Sequence, residues 1–317
     1  MTVKLIKLSQ PHHFSKNDFD EMVLALGYFD GVHKGHQKVI LKGKEIAKRL
    51  GMKSAVMTFN PHPLVVLRNQ KEIDYITPLE EKIQFIRQLN VDILFVVEFT
   101  KDFAALLPQQ FVDDYIINLN VKHVVAGFDF TYGHLGKGTM ETLPFHSREQ
   151  FLHTTVEKQT DRDRKISSTL IREVIRSGDV SYANRLLGRP HTVTGTVIHG
   201  DKRGRTIGFP TANIDVPDVY LIPPTGVYAV SVLISGQEFK GMCNIGYKPT
   251  FNKEKTAKPS IEVNIFDFQQ DIYDQIVSIS WFKRIRSEQK FNNVDELIGQ
   301  IAKDKAAVEQ FFGQKTV

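Results

Sequence analysis

Two hydrophobic rhythms divide the chain. In the first part, short runs at 22–26, 54–59, 93–99 and 121–126 that read as strands alternate with stretches in which apolar positions recur every three or four residues. Runs of that length read as strands buried on both faces, and the stretches between them as covering helices. Residues 37–50 carry Val39, Ile40, Ile46, Ala47 and Leu50 on one stripe, and Gly51 stops the helix. Thr77-Pro78-Leu79-Glu80 predicts a capping box with proline at the first helical position, opening a helix to about residue 89, and 109–119 predicts another helix. The alternation predicts an α/β domain built on an open parallel sheet. In such sheets ligands bind beyond the carboxyl ends of the strands.

From His191 the period falls to two, with strands expected at 193–199, 227–234, 239–245, 261–266 and 277–282 and glycine turns between them. Strands at that spacing predict a small closed or partly closed barrel. A last helix is expected with Asn293 as cap, Glu296 three residues on, and Leu297, Ile298, Ile301, Val308, Phe311 and Phe312 as its packing stripe. Asp179 caps a short helix that Gly188 ends, and Arg189-Pro190 follows. The domains are expected to divide there, as residues 1–186 and 187–317.

A length of 317 residues suits two cores better than one, and 41% hydrophobic with 24% charged residues is ordinary globular composition. No apolar run reaches membrane-span length, and the first ten residues lack the pattern of a signal peptide, so the cytoplasm is the expected location. The net charge of +5 raises the question of nucleic acid, but basic and acidic residues are interspersed. Neither a zinc finger nor a basic arm is evident, so no nucleic-acid or membrane partner is expected. The short clusters Lys202-Arg203-Gly204-Arg205 and Lys283-Arg284-Ile285-Arg286 suit a nucleotide's phosphates as well as a polymer's. Cys243, the single cysteine, reads as a small buried hydrophobe.

The first candidate chemistry is Gly27-Tyr28-Phe29-Asp30-Gly31-Val32-His33-Lys34-Gly35-His36, between a strand and a helix. Its glycines let backbone N–H groups approach a phosphate, and the helix start adds unpaired donors. His36 falls in the first helical turn with His33 just ahead, so both rings can face one anion. Zinc is disfavoured, because the two histidines lack a His-Glu-x-x-His frame. Two further loops leave strand ends, at 60–63 and at 127–133. In the second, Phe128 and Phe130 either stack on a flat ring or fill the core. Lys165-Ile166-Ser167-Ser168-Thr169-Leu170-Ile171-Arg172 places hydroxyls at a helix start with Arg172 one turn in, which serves as a plain cap or as a second anion clamp. In the second half, Thr211 and Asn213 point the same way in extended backbone and can share a hard cation, or belong to a solvated basic loop. Glu262 stands in an apolar strand, either facing solvent or buried as a general base.

The string 27–36 resembles the signature of the HxGH nucleotidyltransferases, and specifically the prokaryotic bifunctional riboflavin kinase/FAD synthetases. Ile166-Ser167-Ser168-Thr169 with Arg172, Pro210-Thr211-Ala212-Asn213, and Glu262 match further family motifs in the same order, so the resemblance spans nearly the whole chain. It implies a Rossmann-like nucleotidyltransferase domain followed by a six-stranded-type antiparallel β-barrel with a C-terminal helix. It further implies two ATP- and Mg2+-dependent steps, riboflavin to FMN and FMN to FAD, with ADP and pyrophosphate as by-products. By that resemblance the catalytic residues are His33, His36, Arg172 and Glu262, and the metal ligands Thr211 and Asn213. Nucleotide binding falls to Gly27, Phe29, Asp30, Gly31, Gly35, Ser167, Ser168 and Thr169, and in the second half to Gly200, Lys202, Gly204, Gly208 and Pro210. Flavin binding falls to Asn60, His62, Phe128, Asp129, Phe130 and Tyr132, and to Arg286, Glu288 and Phe291. The chain departs from the family's usual residue at Asp129, where Asn is commoner, and at Tyr28, where no polar contact is expected.

Overall fold

The computed structural model describes residues 3–68, 73–200, 203–247 and 259–314. The chain falls into two compact units, Met1–Ser168 and Thr169–Val317.

The first unit is built on β1 (Lys4–Leu8), β2 (Met22–Leu26), β3 (Lys53–Asn60), β4 (Ile93–Glu98), β5 (Val121–Gly127) and a further strand, Leu152–Val156. Between β5 and that strand lies the two-residue pair β6 (Thr131–Tyr132) and β7 (Gly138–Thr139), so Leu152–Val156 is β8. The six long strands form one parallel sheet in the order β1-β4-β3-β2-β5-β8. Strand order reverses at β2, which puts the ligand crevice of such a sheet beyond the carboxyl ends of β2 and β5. Alternate residues of each strand enter separate cores on the two faces. Leu24, Leu26, Met57 and Phe95 lie in one, and Val23, Ala25, Val56 and Leu94 in the other. Burial on both faces explains why β2 and most of β4 read as apolar runs.

Helix α1 (Lys34–Leu50) crosses one face, with Gly43 packed against Ala25 and Val125. Helix α2 (Pro63–Arg68) follows β3, and α3 (Leu79–Gln88) precedes β4. Helix α3 starts at Leu79, with Pro78 in the cap position. The Thr77 N–H, just ahead of it, donates to Asp30 Oδ1 at 3.0 Å. After α4 (Lys101–Ala105), α5 (Pro108–Val112) passes into a π-helical stretch, Asp113–Ile117, within the region expected as one helix. A short α6 (Leu143–Ser147) precedes β8, and the hairpin β9 (Thr160–Asp161) and β10 (Arg164–Lys165) leads to Ser168.

Helix α7 (Ser168–Ser177) starts at the last residue of the first unit; in the second unit the rest of α7 and α8 (Val180–Leu187) lead into a closed barrel of β11 (His191–Ile198), β12 (Ala212–Asp215), β13 (Gly226–Ile234), β14 (Gln237–Gly246), β15 (Ser260–Ile265) and β16 (Ile276–Arg286). The order is β11-β12-β15-β14-β13-β16, antiparallel throughout. The pattern of period two gave five of these strands and missed β12, whose four residues are too few to establish a rhythm. Helix α8 docks on the barrel through Asn184 Nδ2, which donates to Trp281 O at 2.8 Å. After the single turn α9 (Arg203–Thr206) and the barrel comes α10 (Val294–Gly313), capped as expected by Asn293, which accepts from the Glu296 N–H at 2.8 Å.

Candidate active sites

The loop after β2 is tightly wound. Gly31 takes φ 87°, and Phe29 (φ 53°) and Val32 (φ 38°) also lie in the left-handed region, which is costly for a β-branched residue. The Val32 N–H donates to Phe29 O at 3.0 Å, and Gln37 Nε2 donates to Val32 O at 2.8 Å, which hold this shape. His33 caps α1: its Nδ1 accepts the His36 N–H at 3.2 Å. The two imidazoles stack with centroids 3.5 Å apart, and the Phe29 ring meets His36 edge-on at 5.3 Å. Gly27 is required by that aromatic, since a Cβ there would lie 2.4 Å from Phe29 Cε1.

Ser168 Oγ donates to Asp30 O at 2.8 Å, and Ile166 O lies 3.6 Å from the position of a Gly35 Cβ. The segment 166–168 is therefore laid against the first turn of α1, and Ser168 is itself the first residue of α7. Backbone donors of a helix start and a hydroxyl-bearing second helix start share one small region, an arrangement that suits an anion. Thr169 is exposed, and Arg172 is half-buried one turn along α7. Two of the residues expected to bind nucleotide serve the scaffold. The Phe29 side chain is core, 1% exposed, so only its backbone can face a ligand. The Asp30 carboxylate, 2% exposed, accepts from the N–H groups of Ile76 and Thr77 at 3.4 and 3.0 Å and so pins the loop to the start of α3.

The loops after β3 and β5 flank this region in the sheet. Asn60 ends β3, and His62 packs 4.7 Å from the Tyr28 ring. Tyr28, to which the sequence assigns no polar contact, donates its hydroxyl to Pro61 O at 2.5 Å. Burial pushes its phenol well above the ordinary range, so it remains a donor. Phe128 is 43% exposed, with Lys165 Nζ 4.5 Å from its ring centroid, and Lys165 also pairs with Asp129. The charge that replaces the commoner amide at position 129 is thus met by Lys165. Phe130 packs partly on the core, whereas Tyr132 is 5% exposed and bonds His146 Nδ1 through its hydroxyl at 2.8 Å. Tyr132 is therefore a support for the loop; of the three aromatics, Phe128 is the most exposed.

In the barrel, Asn213, Glu262 and Asn244 stand directly opposite one another on β12, β15 and β14. Their chain neighbours Ile214, Ile261, Val263, Cys243 and Ile245 fill the interior, so the three polar side chains share the outer face. Glu262 is half-buried there. Gly200 lies against Asn213: a Cβ would stand 2.1 Å from Asn213 Nδ2. At Gly204 a Cβ would lie 3.4 Å from Thr211 Oγ1 and 2.3 Å from Phe209 O. The glycine-rich segment thus leaves room beside two side-chain oxygens, and neutral oxygen donors of this kind fit Mg2+ that also takes phosphate and water ligands. Among the described residues no group of three His, Cys, Asp or Glu side chains is placed to hold a metal by itself. Gly208 takes φ 84°, and Pro210 O accepts from Asn264 Nδ2 at 2.7 Å, a tether that the sequence did not announce. Lys202, and the string from Lys248 to Phe251, lie outside the described residues.

The end of β16 and the segment after it divide in two. Glu288 Oε1 lies 3.5 Å from where a Gly246 Cβ would be, close to the Asn244 amide. Arg286 instead turns to α10, pairing with Asp304 through Nε at 2.9 Å and Nη2 at 2.8 Å, with Phe291 5.7 Å from its guanidinium. Its guanidinium is occupied in docking the C-terminal helix. Cys243 is fully buried, and burial pushes its thiol far up, which leaves it inert as expected.

Comparison with known proteins agrees with this division of motifs. The FAD synthetase family matches residues 15–170, and the riboflavin kinase family matches residues 187–312. The bifunctional riboflavin kinase/FMN adenylyltransferase of Bacillus subtilis is 55% identical over 98% of both chains, and that of Escherichia coli K12 is 35% identical over 95% of this chain and 96% of its own. A solved structure from Streptococcus pneumoniae, described as a macrolide-efflux protein, is 37% identical and superimposes with a TM-score of 0.86 over 97% of this chain and 99% of its own. Among the described residues no helix is long and apolar enough to cross a membrane. With both family matches in sequence along one chain and relatives aligned over almost its full length, the protein belongs to the bifunctional riboflavin kinase/FMN adenylyltransferase family.

Proposed function

We propose that the two reactions of this enzyme occupy separate sites: FMN adenylylation at the loop 27–36 within residues 1–186, and riboflavin phosphorylation on the outer barrel face within residues 187–317. Ser168 bonded to Asp30, which brings two distant motifs to one helix start, carries the first assignment. The row Asn213, Glu262, Asn244 carries the second.

In the barrel, the primary hydroxyl of riboflavin attacks the γ-phosphorus of ATP, the bond to the ADP oxygen breaks, and Glu262 accepts the hydroxyl proton. Thr211 and Asn213 would hold Mg2+, which when bound offsets negative charge on the nucleotide's phosphates. Gly200, Gly204, Gly208 and Pro210 shape the cover over those phosphates, and Glu288 borders the flavin side.

At the other site, a phosphate oxygen of FMN attacks the α-phosphorus of a second ATP and pyrophosphate leaves. The nucleophile is already anionic, so positioning and charge stabilisation do most of the catalysis. His33 and His36, the N–H groups about Gly35, and the hydroxyls of Ser167 and Ser168 supply that stabilisation. Asn60, His62 and Phe128 form the flavin side. Both reactions draw on the ATP of the cytoplasm, where we place the protein.

The test is a reciprocal pair assayed by chromatography of flavins. His36→Ala is expected to abolish FAD formation while FMN accumulates, and Glu262→Gln to stop FMN formation while added FMN is still adenylylated. A folded single mutant that loses both steps would contradict the two-site assignment.

A further inference from the structure

Lys82 is 2% exposed, on α3. Its ammonium has three protons and meets three acceptors: Tyr28 O at 3.2 Å, Thr58 Oγ1 at 3.3 Å and Phe59 O at 3.3 Å. Thr58 Oγ1 in turn donates to Tyr28 O at 2.8 Å. Tyr28 is the second residue after β2, and Thr58 and Phe59 belong to the last turn of the pleat in β3, so one cation ties together the carboxyl ends of two neighbouring strands.

From those two strand ends leave the loop of His33 and His36 and the loop of Asn60 and His62. The tie extends into both. The Tyr28 hydroxyl bonds Pro61 O, its ring packs on Phe59 and His62, and the His62 N–H donates to Tyr75 Oη at 2.9 Å. On the other side, Asp30 binds the N–H groups that lead into α3, the helix that carries Lys82.

We propose that Lys82 is a positioning residue for adenylyl transfer, its buried ammonium fixing the spacing between the nucleotide loop and the flavin loop. Burial of a charge is expensive, and an aliphatic side chain of similar volume would stabilise the same core at lower cost. Burial draws its pKa down to about 8 against the opposing influence of Asp30. What the ammonium supplies and a hydrophobe does not is a fixed three-way bond to backbone and hydroxyl oxygens at the point where two substrates must be aligned. Misalignment of reacting groups by about 1 Å costs on the order of 100-fold in rate.

The inference rests on the placement of adenylyl transfer at the loop 27–36, and the experiment separates the two. The full-length variants Lys82→Met, Lys82→Gln and His36→Ala are assayed for FMN adenylylation, with riboflavin phosphorylation by the same molecules as control. Lys82→Met is expected to lower kcat of adenylylation by roughly 100-fold with KM for ATP and FMN little changed, and Lys82→Gln, whose amide donates two of the three bonds, by roughly 10-fold. Phosphorylation should be unaltered in both. A change in KM alone, or a kcat within twofold of the parent, overturns the role of Lys82. If Lys82→Met does not fold by circular dichroism, Lys82→Gln decides by the same criteria. Retention of FAD formation by His36→Ala would instead overturn the site placement.

Discussion

His36 donates its backbone N–H to Nδ1 of His33 while the two rings lie face to face, 3.5 Å apart and inclined by 19°. In the neutral ring of His33 the proton therefore resides on Nε2. One residue thus both caps a helix and presents a donor, and the two duties can be separated by substitution.

Asparagine is a good helix cap and alanine is not, so His33→Asn should preserve stability and His33→Ala should lose about 1 kcal/mol. Both should lose FAD formation by roughly 100-fold or more, because neither has the imidazole donor. Thermal unfolding and flavin chromatography on the same preparations check this. An active His33→Asn would leave His33 a cap and nothing more.

Gly200→Ala tests the barrel site sterically. The new methyl carbon would stand 2.1 Å from Asn213 Nδ2 and 2.4 Å from its Cγ, so the amide must move. Riboflavin phosphorylation should fall and become more demanding of Mg2+, while added FMN is still converted to FAD. A magnesium titration of the kinase rate reads the effect. An unchanged titration would separate Asn213 from the metal.

His191 offers a pH test. It is 1% exposed within the barrel, its Nε2–H donates to Leu221 O at 2.8 Å, and burial lowers its pKa from 6.5 to about 4. The folded state holds the ring neutral, so as pH falls below 6.5 the unfolded chain takes up the proton first. Stability is expected to decline from about pH 6.5 to about pH 4, by on the order of 3 kcal/mol in total. Trp281, the one tryptophan, stacks on His191 with centroids 5.7 Å apart, so its fluorescence reports unfolding of this unit. Urea titrations across that window should show the decline in the parent and a flatter profile in His191→Gln.

Asp304→Ala would strand the guanidinium of Arg286, which is 16% exposed, opposite an empty place on α10. Breaking a buried pair from one side costs about 3–5 kcal/mol. The same fluorescence assay should register a loss of that order, with the KM for riboflavin unchanged at low temperature. A changed KM with full stability would reassign Arg286 to the flavin.

Much of this protein is legible in order along the chain. The runs at 22–26 and 54–59, the stripe of α1 and the Asn293 cap of α10 are local, set by side chains within a few residues of one another, and their periods announced one parallel α/β unit and one barrel. Glycine and histidine spacing marked the loop 27–36 because backbone approach and helix starts are local properties too. Edge strands β1 and β8 escaped, being short and partly exposed, so that each lacks a continuous apolar run.

Tertiary structure alone decided which motif residues serve chemistry and which serve the scaffold. Nothing near Asp30 in sequence shows that its carboxylate reaches Ile76 and Thr77, nor that its carbonyl receives Ser168 from 138 residues away. Lys82 is buried, because the three oxygens that satisfy it come from β3 and the loop after β2. A pattern of period 3.6 records which way a side chain points. Whether a charge is tolerated there depends on acceptors that only the packing of distant strands brings within reach.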